Sequence, residues 1–360
     1  MIAQHTITTT PKYNFPHPAM DTLLPQRFTE LSIHSLKDEN TPLFQLNQQQ
    51  IQQTTNPQQQ THNIKLAPHP IPLKPAREPT AIAAVDTSNI KIGETAKGIL
   101  IAVRAANVWK QNKHYQYARF GPFIFHVTEE NKKQVYNMLQ NAYFDQPYYD
   151  RHADYSNMAF MPMRIAALLE RWLQTMVAKT LNNGLILFDG SLTSGSGDTP
   201  TRLIKDILDN ARKRNNITLA FSKMTTLRIN GHLITDTLPS YKAPYLLEVT
   251  NPKPKPPMLL LGDIYVAKLA NENYAFRLDI DKEISLEKKV GAVERLLGND
   301  PAEQGYPETL RLAHILCTFT ANEVIAMQHF ATRRYGLKIV NRPDMHRLLF
   351  GPFGRGESFQ

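Results

Sequence analysis

Two apolar segments of this sequence each end in an aspartate that a hydroxyl side chain soon follows. Residues 81–85 lead into Asp86, and residues 184–188 lead into Asp189. Short apolar runs between turn formers predict buried strands, and ligand sites of α/β folds assemble where strands leave the sheet. Carboxylates at one rim suit Mg²⁺ or Mn²⁺, which can hold a phosphodiester and activate water. The pattern therefore indicates metal-dependent phosphodiester chemistry.

Gly190 directly follows the second acid. A glycine there lets the backbone turn sharply and lets a phosphate or a metal ion approach closely. The alternative is that Asp189 only caps the helix that follows the loop at residues 194–200. The repeat of the pattern at Asp86 favours the metal site, and since two unneutralised acids would repel each other, a cation is their natural partner.

Three further residues could join the two acids, and each has an ordinary structural alternative. Glu170 lies on a largely apolar face of a predicted helix, so it either points into the protein or forms a salt bridge with a neighbour. Lys223 follows a predicted strand and is either a point charge for a phosphate or a solvated lysine. His314 lies in the last predicted helix and is either a metal ligand or a packing residue.

The elements that would position these residues are predicted from hydrophobic periodicity. After the first acid, consecutive strands indicate an antiparallel part of the sheet, which argues against a simple doubly wound fold. Gly184 stands where a helix C-cap belongs. The predicted strands cover residues 98–103, 115–127, 217–222, 258–269 and 274–280, and the predicted helices cover residues 129–142, 161–182, 200–214 and 307–335.

Composition narrows the class of protein. The chain has 360 residues, and 41 Lys and Arg against 32 Asp and Glu give a formal charge of +9. This charge favours a polyanionic partner, although solvated lysines alone would also produce it. The single cysteine, Cys317, excludes an internal disulfide and a cysteine-rich zinc site. With no secretory signal and no apolar run long enough to span a bilayer, we expect a soluble cytoplasmic protein with no membrane partner.

Both ends of the chain differ in composition from its middle. Residues 1–78 are rich in Gln and Pro and predict a largely disordered, low-complexity N-terminal extension, with one short amphipathic helix between Asp21 and Leu36. The last twenty residues are rich in Arg, Gly and Phe and could contact nucleic acid. Their apolar residues either dock a partner or close the domain's own core; these are Leu348, Leu349 and Phe350.

The order of the signals resembles the NurA nuclease family from about residue 79 to near the C-terminus. The resemblance rests on Val85-Asp86-Thr87-Ser88, Glu170, Phe188-Asp189-Gly190-Ser191-Leu192, Phe221-Ser222-Lys223, Gly305-Tyr306-Pro307 and His314. Its most specific parts are the two acids at predicted strand ends, the Asp-Gly-Ser-Leu box at residues 189–192, and the Tyr-Pro pair eight residues before a helical histidine. Thr87 departs from the family pattern, which more often has glycine after the first acid.

The resemblance implies an α/β fold for residues 79–360, with an RNase H-like mixed sheet flanked by helices. It implies a manganese-dependent 5′-to-3′ nuclease for single- and double-stranded DNA, with Mg²⁺ as the alternative metal. A homodimer and a HerA-like hexameric ATPase are the implied partners. Carried over by position, the metal ligands are Asp86, Glu170, Asp189 and His314, Tyr306 is a supporting active-site residue, and Lys223 contacts a phosphate.

A function of another class stays open, namely a catalytically inactive DNA-binding or scaffold subunit of a translocase complex. The residues themselves do not distinguish DNA from RNA, because both present the same phosphates. The sequence also has no Gly-rich phosphate loop with Lys-Ser/Thr, so a motor would have to be a separate protein.

Overall fold

The computed structural model of the chain describes residues 29–33, 64–111, 113–143, 157–196, 199–236, 238, 241–272 and 274–341. The strands are β1 Lys65–Leu66, β2 Ile71–Pro72, β3 Ile82–Thr95, β4 Gly98–Gln111, β5 His114–Thr128, β6 Leu185–Asp189, β7 Thr193–Ser194, β8 Ile217–Ser222, β9 Arg228–Ile229, β10 His232–Leu233, β11 Tyr245–Thr250, β12 Leu259–Leu260, β13 Gly262–Lys268, β14 Phe276–Asp281 and β15 Ile339–Asn341. The α-helices are α1 Lys132–Tyr143, α2 Met161–Thr180, α3 Thr201–Lys213, α4 Leu286–Asn299, α5 Glu308–Cys317 and α6 Ala321–Tyr335.

A large mixed sheet runs in the order β1-β11-β13-β14-β8-β6-β3-β4-β5. Strands β3, β4 and β5 form an antiparallel meander, β6 pairs parallel with β3, and β8 pairs parallel with β6. Beyond β8 the sheet is antiparallel through β14, β13 and β11. Helices cover both faces, so the prediction of an RNase H-like mixed sheet flanked by helices is confirmed.

The central strand β6 is buried on both faces because its side chains alternate between two cores. Ile186 and Phe188 pack with α2 and α3, whereas Leu185 and Leu187 pack with α4 and α5. A strand covered on both faces needs apolar residues at every position, which explains the uninterrupted apolar run in the sequence.

Two predictions about helix ends are wrong. Helix α2 ends with Leu181 in an extended conformation, so Gly184 is not its C-cap. A side chain at Gly184 would lie 2.7 Å from the carbonyl oxygen of Ala81, so close packing is the reason for this glycine. The helix predicted for residues 307–335 is two helices, because Thr320 starts α6 with a capping box.

Several other parts of the chain were predicted only in part or were missed. Residues 29–33 are helical, and Leu31 packs on the main core, whereas the rest of the predicted N-terminal helix lies outside the described residues. The glutamine-rich stretch and the C-terminal residues Leu348, Leu349 and Phe350 also lie outside them. Helix α4 and strands β11 and β15 were missed, as were the two-residue strands β1, β2, β7, β9 and β10. Among the described helices, none has the length and apolar character needed to cross a membrane.

The segment just before β3 is fastened to helix α4. The backbone N–H of Ala76 donates to the carbonyl of Glu294 at 2.9 Å, and that of Lys74 donates to the Glu294 carboxylate at 2.9 Å. The side-chain amide of Asn299 donates to the carbonyl of Glu78 at 2.7 Å. The division of the chain near residue 79 stays a prediction, and the residues just before it pack against the folded body.

Gly298 allows this close contact, and its replacement by alanine is expected to destabilise the protein. An added Cβ would lie 1.8 Å from the carbonyl oxygen of Ala76, so the segment would have to move. Overpacking of this kind costs about 1–3 kcal/mol. Gly291→Ala in the same helix is the control, because its Cβ would meet nothing within 4 Å and should gain up to about 1 kcal/mol. Urea unfolding checks both; a Gly298→Ala protein as stable as Gly291→Ala would contradict the contact.

Candidate metal centre

The parallel pairing of β3 with β6 places the two acids side by side, but only Asp189 ends its strand. The prediction that Asp86 also lies at a strand end is wrong, because β3 continues to Thr95 in its pairing with β4. Val85 is registered against Phe188, and Asp86 and Asp189 are the next residues on the two strands. Both side chains therefore reach the same rim of the sheet. Gly190 has a φ of 119°, as the predicted sharp turn requires, so the chain leaves the sheet directly after the acid.

Helix α5 brings His314 onto the first acid. The Nδ1 atom of His314 lies 2.7 Å from Oδ2 of Asp86, and the backbone N–H of Thr87 donates to Oδ1 at 2.7 Å. The side chain of His314 is 49% exposed, whereas that of Asp86 is buried. His314 is therefore a polar contact of the acid with an open side and not a packing residue.

Helix α2 brings Glu170 to the same rim, with only 16% of its side chain exposed. Its carboxylate accepts a hydrogen bond from the Gln174 amide at 2.8 Å and from the Thr87 hydroxyl at 3.4 Å. Burial raises the pKa of Glu170, and the charges of Asp86 and Asp189 raise it further, against the opposing effect of Arg171. Glu170 is therefore close enough to both aspartates for their negative charges to disfavour its ionised form.

Lys223 follows β8 and partly neutralises the second acid. Its Nζ atom lies 2.6 Å from Oδ2 of Asp189. Burial raises the pKa of Asp189, the Lys223 ammonium lowers it, and the charge of Asp86 raises it. The lysine is 38% exposed, so the side of its ammonium away from the acid can reach a ligand.

Tyr306 lies beneath this lysine. Its ring contacts Phe276 and Phe221 at centroid distances of 5.2 and 6.1 Å, and the Lys223 ammonium lies 5.6 Å from its centroid. The residue is only 8% exposed, and its hydroxyl has no hydrogen-bond partner among the described residues. Burial, followed by the charges of Asp189 and Asp86, raises its pKa, so the hydroxyl stays protonated as an unused donor.

Two contributors to the site were not found from the sequence. Asp279, held by Arg277 at 2.7 Å, accepts the backbone N–H of Leu192 at 3.0 Å and so fixes the loop after the second acid. The donor atoms of Cys317, Asp86 and His314 all lie within 4.8 Å of one another. The only sequence signal for Cys317 was its spacing of one helical turn from His314.

The donor set fits a hard divalent cation. Asp86 contacts His314, and Glu170 and Asp189 lie beside them at the same rim; such ligands suit Mn²⁺ or Mg²⁺. Among the described residues, the metal-binding side chains whose donor atoms all lie within 4.8 Å of one another are Asp86, His314 and Cys317, without Glu170 or Asp189. Burial raises the pKa of Glu170 and of Asp189, and the charge of Asp86 raises both further, so the two ionised carboxylates are disfavoured there and a cation would relieve this. The residues able to hold it are Asp86, Glu170, Asp189 and His314, and their assignment as ligands stays a prediction.

A family model of the NurA domain matches residues 80–316, which is more than half of the chain. No curated protein matches the sequence.

Three solved structures share a distant likeness with the chain. The NurA nuclease from Sulfolobus solfataricus is 14% identical, with 74% of this chain and 88% of that chain covered and a TM-score of 0.44. A NurA structure bound to dAMP and manganese is 10% identical, with 68% and 85% covered and a TM-score of 0.37. Endonuclease V from Bacillus subtilis is 14% identical, with 73% and 88% covered and a TM-score of 0.32. At these scores the likeness supports no conclusion about the residues of the site.

Glu170→Gln is expected to stabilise the metal-free protein. The pKa of Glu170 is raised by folding, so the folded chain binds its proton more tightly, and stability falls as the pH rises from the ordinary glutamate range, about 4.3, through the folded pKa. The neutral amide removes that loss. We expect a free energy of unfolding at neutral pH more than about 0.5 kcal/mol above wild type, which exceeds the usual effect of surface substitutions.

Urea unfolding in EDTA over a pH series checks this expectation. Glu248→Gln is the control, because it makes the same chemical change at an exposed position of β11, separated from β6 by β13, β14 and β8. A Glu170→Gln protein whose stability has the same pH dependence as the wild type would show that folding does not raise the pKa of the Glu170 carboxyl.

Proposed function

The chain belongs to the NurA domain family, and from that membership and the acid cluster we propose that it is a metal-dependent deoxyribonuclease. The observation that carries the proposal is the placement of three acids at one rim: the β3–β6 pairing sets Asp86 beside Asp189, and Glu170 accepts a hydrogen bond from Thr87, the residue after Asp86. An acid cluster of this kind costs stability, so its retention fits a chemical role better than a structural one.

The residues of the site have separable roles in this proposal. Asp86 and Asp189 anchor the metal, Glu170 and His314 complete its coordination, and Thr87 orients the first acid and Glu170 through its N–H and hydroxyl. When bound, Mn²⁺ or Mg²⁺ would lower the pKa of an attacking water and offset the charge of the phosphate. Mn²⁺ is the proposed metal because of the family resemblance, and the ligand types accept either ion.

Lys223 and Tyr306 form the substrate side of the site. The ammonium of Lys223 can pair with a phosphate as a point charge, and its contact with Asp189 keeps it at the rim. The unused hydroxyl of Tyr306 is a donor for an oxygen that enters between the acids and the lysine. The aromatic contacts of its ring hold that hydroxyl in place without occupying it.

The substrate and partners rest on the resemblance. We propose 5′-to-3′ exonuclease activity on single- and double-stranded DNA, with endonuclease activity on single strands, in DNA end resection and double-strand break repair in the cytoplasm. The proposed assembly is a homodimer that works with a HerA-like hexameric ATPase. A separate motor suits a sequence without its own phosphate loop, and the charge of +9 suits a DNA passage. The alternative is a catalytically inactive DNA-binding or scaffold subunit of such a complex.

Asp189→Asn is expected to lower nuclease activity at least about 100-fold, the upper end of the effect of losing a group that supports a metal. The full chain is incubated with end-labelled DNA and a matched RNA in Mn²⁺, Mg²⁺ or EDTA, and the label at either end reports polarity. Glu248→Gln should retain wild-type rates. No metal-dependent degradation by the wild type would favour the inactive-subunit alternative. An Asp189→Asn protein as active as the wild type would show that the activity does not come from this site. Faster loss of RNA would overturn the choice of DNA.

The quaternary proposal is checked by light scattering and co-purification. We expect the isolated chain to scatter as a dimer and to co-purify with a HerA-like ATPase. Leu349→Asp is expected to weaken the ATPase interaction if the C-terminal apolar residues form the docking surface. A monomer would exclude the dimer, and a folded Leu349→Asp protein that binds normally would exclude this docking surface.

A further inference from the structure

Cys317 adds a soft ligand to one corner of the acid cluster. Its Sγ atom is buried at the end of α5, and the thiol donates to the His314 carbonyl at 3.2 Å. The Asp86 carboxylate, the His314 imidazole and this sulfur all lie within 4.8 Å of one another. The three donors thus form a compact group on one side of the centre.

This group differs in chemistry from the full set of acids. One oxygen, one nitrogen and one sulfur ligand form a typical set for Zn²⁺, which binds four ligands tetrahedrally and accepts thiolate readily. Hard cations such as Mg²⁺ and Mn²⁺ prefer oxygen ligands and gain little from sulfur. A thiolate and a carboxylate also carry the two negative charges that a divalent cation neutralises.

Tyr306, on the substrate side of the same centre, has a buried hydroxyl that no described residue binds. The side chain is more than nine-tenths buried, and its hydroxyl has no partner among the described residues. Burial, followed by the charges of Asp189 and Asp86, raises the pKa of this hydroxyl, so it stays protonated as a donor. An unpaired donor in a buried polar site is ordinarily satisfied by water or by a ligand.

We propose that Asp86, His314 and Cys317 form a binding site for Zn²⁺, and that Zn²⁺ bound there inhibits the enzyme. The inhibition rests on the proposed nuclease function, because Zn²⁺ would occupy Asp86 and His314, which the hydrolytic metal also requires. The zinc site itself does not depend on that function. Binding breaks the S–H bond of Cys317, releases its proton to solvent and forms a bond between sulfur and zinc, with no change of oxidation state.

Co²⁺ tests the site directly, because a cobalt–thiolate bond gives a charge-transfer absorption that oxygen and nitrogen ligands do not. The chain contains a single cysteine, so any such band reports Cys317. We expect the band to saturate at one Co²⁺ per full-length wild-type chain and to disappear when Zn²⁺ is added. Cys317→Ser should show no band. A folded wild-type chain without the band would overturn the proposal, whatever the variant does.

Inhibition is measured as the ratio of the rates with and without Zn²⁺ at saturating Mn²⁺, so that a change in basal rate cancels. We expect the Zn²⁺ concentration for half inhibition to rise at least about tenfold in Cys317→Ser, the scale on which a metal site weakens when a supporting group is lost. Cys317→Ala is a second variant in case the serine protein fails to fold. Equal sensitivity of folded variant and wild type would refute inhibition through Cys317.

The Co²⁺ titration and the nuclease assay test the zinc site and the nuclease activity separately. If the wild-type chain degrades no DNA in Mn²⁺ but shows the cobalt–thiolate band, the nuclease proposal fails and the thiophilic site stands. If the chain is an active nuclease without the band, the zinc site fails and the nuclease stands.

Discussion

The parallel pairing of β3 with β6 is the constraint on which the candidate site depends. The register of Val85 against Phe188 sets Asp86 and Asp189 beside each other, and a shift by one residue would turn one acid to the opposite face. The register is secured by burial, because alternate residues of both strands fill two different cores. The apolar residues that look purely structural therefore determine where the acids lie.

The negative charges of the acids must also be balanced, and the nearby cations do this to different degrees for different acids. Asp189 has the ammonium of Lys223 at 2.6 Å, and Asp279 has the guanidinium of Arg277 at 2.7 Å. Among the residues that the structure describes, Glu170 forms one ion pair, with Arg171 at 3.9 Å, and accepts hydrogen bonds from neutral donors. The charge of Asp279, behind the site, is thus balanced by Arg277, whereas Glu170 at the rim has a more distant cation. The structure thus holds a rigid support beneath acids that still lack part of their counter-charge.

The sequence predicted what depends on local pattern. Asp189 at the end of β6, the turn at Gly190 and most strands of the large sheet follow from short apolar runs and turn chemistry, whereas β3 runs on past Asp86 to Thr95. The resemblance added Glu170 and His314. The contacts of Asp279 with Leu192 and of Cys317 with Asp86 join residues far apart in the chain, so no local pattern indicates them. Helix α4 had a visible apolar spacing and was missed, and residues 307–335 were read as one helix because the capping signal at Thr320 lies within a continuous periodic pattern.

The break between α5 and α6 has a direct consequence for the site, because it lets α5 end beside the first acid. Arg104, which is registered against Ser88 on β3, donates to the Thr318 carbonyl at 3.0 Å and pairs with Glu323 at 2.6 Å. Glu323 in turn completes the capping box of α6, and the Arg104 guanidinium lies 4.5 Å from the centre of the Phe319 ring. One buried arginine thus ties the junction of the two helices to the strands beside the acid.

His314 lies in the last turn of α5, next to this junction. The position of its imidazole therefore depends on the junction as much as on its own contact with Asp86. A continuous helix would lack the Thr318 and Thr320 groups that the arginine and glutamate bind, and the histidine would lose its fixed relation to the sheet.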